Sequence, residues 1–342
     1  MQKTIQSSEY CTVGHPDRTC DYIASYLLDK YLEQDPLSRV ALEVQLKDQY
    51  CTVSGEVTSR ADIGEETIAN LCREAMNKIG YTAEYQAKYG KENVVYGDEL
   101  EVATHISRQS WDIAQGVDRD APGDQGIFWG LAVDEPLMGH LPKDYHLARK
   151  LGQDIAGKFG GLDVKTLVTV GDCKPVECFV AIPLAPSESE SDVEATAKML
   201  LGDDCKVIVN GTGRYVTHGS VGDCGTTGRK LVVDFYGGNS RIGGGSPWGK
   251  DPTKADVTLN VYARWKALVF MKNHGLELVR CAISCCIGQR EIRLSFFDKR
   301  GELIGYETED LPMSHIVETL GLNKPVYAKM CKRGLFGYEE MR

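Results

Sequence analysis

The sequence predicts an α+β protein of three similar domains, each a mostly antiparallel sheet covered by helices on one face, in a pseudo-threefold arrangement. Two patterns carry this expectation. Apolar residues alternate with period two in paired runs separated by short turns, as half-buried hairpin strands require. Beside each pair lies a segment whose apolar residues recur at helical spacing. The combination occurs three times, at intervals of roughly a hundred residues, with little similarity at the residue level. A chain of 342 residues is also too long for one simple core.

In the first section, PDRTCDYIASYLLDKYLEQDP places Cys20, Ile23, Ala24, Leu27, Leu28, Tyr31 and Leu32 on one helical face. Pro16 suits the first helical position and Asp35-Pro36 ends the helix. SRVALEVQL then pairs with YCTVSGEVTS: Val40, Leu42, Val44 and Leu46 face one way, and the hairpin displays Glu43 and Glu56. A second amphipathic helix carries Ile68, Leu71, Cys72, Ala75, Met76 and Ile79. Further on, APGDQGIFWG reads as a tight turn before an apolar strand. KTLVTVG and ECFVAIPLA form a hairpin around Gly171–Pro175, followed by a helix over Asp192–Leu201. The last section predicts a strand at KLVVDFY and a helix from Pro252 to about Asn273. A hairpin of LVRCAISCCIG with EIRLSFF and a short helix near Ile316 complete it. The domains expected are 1–112, 120–217 and 218–342.

Composition narrows the function. Apolar residues at 42% and charged residues at 26% describe a soluble globular protein. A net charge of −10 supplies no broad basic field, which argues against nucleic acid as a partner. It suits local clusters of Lys and Arg on a small polyanion carried as its magnesium complex. No apolar run reaches membrane-spanning length, and MQKTIQSSEY lacks a signal-peptide core. The 12 cysteines show no C-x-x-C pair and no zinc spacing. Cys281, Cys285 and Cys286 fall in a strand-like run, so buried thiols in a reducing cytosol are expected.

Four stretches carry candidate chemistry. In GGGSPWGKDPTKAD, Gly244, Gly249 and Lys250 satisfy G-x-x-x-x-G-K, but Asp251 stands where a P-loop has Ser or Thr. A P-loop also needs a buried strand running straight into the glycines, and KLVVDFY stops short of them. Asp251 is expected instead to cap a helix starting at Pro252, with Lys254 and Asp256 in its first turn. A flexible loop with a capped helix explains the stretch equally well. In VGHPDRTCD, His15 precedes a helix and Asp17 enters its first turn, where the helix dipole favours a carboxylate in any case. Asp124 sits between Gly123 and Gly126 in what is, alone, an ordinary turn. The long glycine-rich stretch at 210–238 offers Arg214, Tyr215, Asp223, Arg229 and Lys230, cations for phosphate and a ring for a base.

Together, GHPD, the helix ending EQDP, GDQG, GDCGTTGRK and GKDPTKAD resemble S-adenosylmethionine synthetase (methionine adenosyltransferase), in order, from about Ser8 to about Gly337. That resemblance implies the conversion of ATP and L-methionine to S-adenosylmethionine, with triphosphate split into phosphate and diphosphate. The sulfur attacking C5′ carries no proton, so no general base is needed. The demands are orientation and charge stabilisation.

The resemblance also implies roles. His15 lies by the leaving oxygen. Lys165, Arg229, Lys230 and Lys250 hold phosphates, with Arg214 and Ser246 also at the ATP. Asp163 binds the ribose, and Tyr215 replaces the family's usual Phe against adenine. Glu56, Gln109, Asp223 and Lys254 form the methionine set, with Asp223 near its ammonium. Asp17 and Asp256 bind Mg2+, two per site, and Glu43 binds K+. Residues 109–124 form a gating loop shorter than the usual form. Val13 and Ser246-Pro247-Trp248 also depart from the family pattern. A cytoplasmic homodimer with shared active sites, or a tetramer of paired dimers, is implied. A non-catalytic regulatory subunit has no reason to retain both metal aspartates, and a plain triphosphatase needs no methionine set.

Overall fold

The computed structural model describes residues 5–108 and 119–338. Strand β1 (Ile5–Cys11) leads into helix α1 (Pro16–Gln34), where Pro16 opens the helix without an N–H to lose. β2 (Arg39–Lys47) and β3 (Tyr50–Thr58) form the expected antiparallel hairpin. Then come α2 (Glu65–Ile79), α3 (Ala83–Tyr89) and β4 (Glu101–Ser107). β5 (Gly126–Val133) and α4 (Lys143–Phe159) precede the hairpin of β6 (Lys165–Gly171) and β7 (Lys174–Ala181). α5 (Glu190–Leu201), β8 (Lys206–Val209) and the two-residue β9 (Gly225–Thr226) follow. The last section holds α6 (Ala255–His274), β10 (Leu278–Cys285), β11 (Glu291–Phe297), β12 (Leu303–Asp310), α7 (Met313–Leu320) and α8 (Tyr327–Arg333).

Three four-stranded sheets result, ordered β4-β3-β2-β9, β8-β7-β6-β1 and β12-β11-β10-β5. Each is a local hairpin extended by one further strand, and each takes its other edge strand from a distant stretch of chain. An edge strand exposes unpaired N–H and C=O groups, so each exchange both satisfies an edge and ties one section to another. The third strand is parallel to its neighbour in the first two sheets and antiparallel in the last.

Burial follows the sequence pattern. Val40, Leu42, Val44 and Leu46 all lie beneath α1, in a large core shared by the first and third sheets. Tyr10, Leu151, Ile155, Val168 and Val180 form a separate core under the second sheet. α6 rests directly on β5, because a Cβ at Gly130 would sit 2.1 Å from the Ala263 backbone.

Three expectations are corrected. KLVVDFY is not a strand: Leu231–Asp234 makes one helical turn, with the Asp234 and Phe235 N–H groups bonded back to Lys230 and Leu231. Its apolar run reflects burial of Val233, Phe235 and Tyr236 on several sides, not alternation. The long helix starts at Ala255, not Pro252, and Lys254 is its N-cap residue. Asp251 is instead drawn to β2, accepting from the Val40 N–H at 2.7 Å. The thiols are mostly buried, but Cys173 and Cys286 are exposed.

Candidate active site

The first cluster forms where α1 begins. His15 caps the helix, its Nδ1 accepting from the Asp17 N–H at 3.2 Å. Asp17 is buried, with the Thr226 N–H on Oδ1 at 2.9 Å, the Lys230 ammonium on Oδ2 and the Arg229 Nε 3.6 Å from Oδ1. Gly225 permits this approach, since a Cβ there would lie 2.2 Å from the Pro16 carbonyl oxygen. Burial raises the Asp17 pKa, but the bonds from Lys230 and Thr226 outweigh it, and the carboxyl ends below its ordinary value. Burial, reinforced by the Lys230 charge, brings His15 down to about 4.

Asp163 lies just before β6, and Lys165 is its first residue. Lys165 pairs with Glu9 across β1 at 2.7 Å. The Gly219 N–H donates to Asp163 Oδ2 at 3.0 Å, and the Tyr215 hydroxyl donates to the Asp163 carbonyl at 2.7 Å. Burial raises the Asp163 carboxyl to about 7; the Gly219 bond and Lys230 oppose this, while Asp223 and Asp17 add to it. Asp223 is exposed and accepts from the Cys224 N–H at 2.8 Å.

The second cluster lies on the turn before α6. Asp256 takes the Gly245 N–H on Oδ1 at 2.7 Å and the Lys250 ammonium on Oδ2 at 2.5 Å. Lys254 pairs with Asp251. Ser246 Oγ accepts from the Trp248 N–H at 3.2 Å. The two clusters meet where Gly228 faces Ser246, with a Cβ at Gly228 placed 2.8 Å from the serine Cβ.

Other candidates stand apart from these contacts. Arg214 donates to the carbonyls of Leu184 and Ala185. Glu43 and Glu56 share one face of the β2–β3 hairpin, in the register Ala41–Glu56 and Glu43–Ser54. Gln109, and the gating loop as far as residue 118, lie outside the described residues.

Sequence reasoning missed the support beneath the first cluster. Arg18 is buried, donating to Asp21 at 3.0 Å, to Asp234, and to the Cys331 carbonyl at 2.9 Å. Asp21 in turn accepts from the Gly228 N–H at 2.9 Å, beside Arg229 and Lys230. The signal was present: Arg18 and Asp21 sit at i and i+3 on the buried side of a helix, where charges require partners. Glu9, the partner of Lys165, lay in a strand the sequence reading did not identify.

Asp17 and Asp256 are built alike. Each carboxylate rests one oxygen on a backbone N–H and gives the other to a lysine ammonium. A cation therefore already stands on the outer oxygen of each. Among the described residues no group of three or more His, Cys, Asp or Glu converges. Two separate carboxylates of this kind fit a hard divalent cation whose shell is completed by phosphate oxygens and water.

Fold and clusters together define a class: an α+β protein whose paired aspartates and lysines suit a polyanion arriving with its metal. Comparison with known proteins narrows that class. Residues 3–111 match the family described as "S-adenosylmethionine synthetase, N-terminal domain", and residues 217–342 match its "C-terminal domain". An S-adenosylmethionine synthase of Desulforudis audaxviator is 34% identical, over 98% of this chain and 94% of its own. That of Mesoplasma florum is 32% identical, over 99% and 96%. The solved structure of an unusual S-adenosylmethionine synthetase from Campylobacter jejuni superposes with a TM-score of 0.86 at 29% identity, covering 97% of this chain and 94% of that one. The chain belongs to the S-adenosylmethionine synthetase family.

Proposed function

We infer that the chain is a methionine adenosyltransferase, converting ATP, L-methionine and water to S-adenosylmethionine, phosphate and diphosphate. The observation that carries this reading, within the family, is the like construction of Asp17 with Lys230 and Asp256 with Lys250. Each pair holds a cation and an anion in contact, ready to exchange partners with a metal–polyphosphate complex.

The methionine sulfur attacks C5′ in line, the C5′–O bond breaks, and triphosphate leaves with the bonding electrons. His15 has its Nδ1 occupied as an acceptor, so the neutral ring carries its proton on Nε2 and can donate to the leaving oxygen. Lys165, Arg229, Lys230 and Lys250 take the phosphates, with Arg214 and Ser246 as further ATP contacts. These cations stabilise charge that grows as the bond breaks. Asp17 and Asp256 would hold two Mg2+ ions, which when bound neutralise triphosphate oxygens. Asp163 and Tyr215 take the ribose and adenine. Glu56, Gln109, Asp223 and Lys254 orient methionine, and Glu43 would hold K+.

The division into 1–112, 120–217 and 218–342, with edge strands exchanged between units, belongs to the same reading. So do a cytoplasmic setting and a homodimer sharing its active sites, alone or paired into a tetramer. Among the described residues no helix is long and apolar enough to cross a membrane. Incubation with ATP, methionine, Mg2+ and K+ tests the reaction: one S-adenosylmethionine, one phosphate and one diphosphate should appear per ATP. Formation of ADP would refute it.

A further inference from the structure

Around Asp163 the hydrogen bonds close into a ring. The Leu162 N–H donates to the Tyr85 hydroxyl oxygen at 3.1 Å, and that hydroxyl pairs with His218 Nε2 at 2.8 Å. His218 Nδ1 faces the Val216 carbonyl, so Nδ1 carries the proton and Nε2 accepts from Tyr85. Burial brings the imidazole down to about 4, keeping it neutral in this role. The next residue, Gly219, donates its N–H to Asp163 Oδ2 at 3.0 Å, and Asp163 follows Leu162 in the chain. Gly219 has φ +59°, where a side chain would be strained and its Cβ would meet the Tyr81 hydroxyl at 2.7 Å.

The rings are held from both sides. Tyr89 and His218 lie edge to face at 4.8 Å, and Tyr81 and Tyr85 at 5.5 Å. The Tyr81 hydroxyl also donates to the Gly14 carbonyl at 2.5 Å, and Gly14 is packed so closely that a Cβ would lie 2.3 Å from the Leu162 carbonyl oxygen. The ring thus fixes the Asp163 carboxylate against its own backbone and couples it to the turn that presents His15.

We propose that Tyr85 and His218 are positioning residues that set the enzyme's discrimination for the ribose hydroxyls of ATP. This rests on the reading of Asp163 as the ribose ligand. With Oδ2 fixed by Gly219, Asp163 presents Oδ1 at a single angle to a hydroxyl. Loss of the ring lets the carboxylate turn. A nucleotide lacking the hydroxyl then loses less relative to ATP.

The test compares kcat/KM for ATP with that for 2′-deoxy-ATP and 3′-deoxy-ATP, alongside hydrolysis of added triphosphate. Tyr85→Phe keeps the ring but removes the hydroxyl. It should narrow discrimination by about three- to tenfold, the worth of one uncharged hydrogen bond, through KM for ATP, with triphosphate hydrolysis unchanged. His218→Gln, which restores an acceptor near Nε2, should keep more discrimination than His218→Leu. Asp163→Ala separates the layers. If it abolishes discrimination while Tyr85→Phe and His218→Leu leave it intact, the positioning role is refuted and the ribose assignment stands. If Asp163→Ala leaves discrimination intact, the ribose assignment fails and the proposal falls with it. Equal loss of synthesis and triphosphate hydrolysis in the Tyr85 and His218 variants would mark a merely structural role and overturn the proposal as well.

Discussion

Replacing Arg18 by Met should lower the unfolding temperature by several degrees. The guanidinium is buried between two carboxylates, 3.0 Å from Asp21 and in contact with Asp234, and it lies 5.2 Å over the Trp248 ring. Burial raises both carboxyls, while Arg18 draws them down. Met fills much of the stem's volume but leaves two acids facing each other with no cation. Breaking a buried ion pair in this way costs about 3–5 kcal/mol. Unfolding entropy near ~2.1 cal/mol/K per residue gives roughly 0.7 kcal/mol per degree for a chain of this length, so Tm should fall by about 4–7 °C. Scanning calorimetry at one pH and equal protein concentration measures the shift. Adding Asp234→Asn to the Met variant should recover part of it, because one buried acid is gone. A single variant melting within a degree of the parent would refute the reasoning.

Asp17→Asn and Asp256→Asn should each fold normally yet lose about 10²–10³-fold or more in turnover, as loss of an essential electrostatic partner does; parental rates at limiting Mg2+ would contradict the metal role. Lys254→Met should damage synthesis more than hydrolysis of added triphosphate, whereas Lys165→Met should damage both; equal losses for Lys254→Met would make it a phosphate ligand. Asp163 should give kcat/KM for ATP an acidic limb near pH 7, since its pKa rises from 3.8 to about 7 and the ionised acceptor forms only above that. Asp163→Asn should lack the limb. The sign for stability is opposite: a carboxyl raised on folding holds its proton more tightly when folded, so its contribution declines as pH climbs from about 4 through 7.

Much of the fold was legible because period is a direct image of burial. β2 shows Val40, Leu42, Val44 and Leu46 at strict alternation, and all four are buried. The hairpin of β6 and β7 and the helices α1, α2 and α5 were legible for the same reason. KLVVDFY misled because residues buried on several sides have no period, and α4 went unread although Tyr145, Ala148, Leu151 and Ile155 mark its buried face. The exchange of β1, β5 and β9 between sheets was invisible, since pairing partners far apart in sequence leave no local pattern. At the site, glycine turns bearing Lys and Asp were readable as motifs. Which aspartate meets which lysine was not, because Asp17 and Lys230 are joined only by folding.

The same joining by folding keeps the site ready. Pairing Asp17 with Lys230 and Asp256 with Lys250 sets each carboxylate against an ammonium before any substrate arrives. On the proposed reading, substrate then requires only an exchange of partners: ammonium to phosphate, carboxylate to metal. Both partners enter together in the metal–nucleotide complex, so neither charge need stand alone at any stage. The backbone donors Thr226 and Gly245 keep the inner oxygens fixed through the exchange, leaving only the outer ones to change hands. Preorganised charge of this kind costs little reorganisation when the C5′–O bond breaks. Gly225 serves the same end, since it lets its strand lie against the helix start.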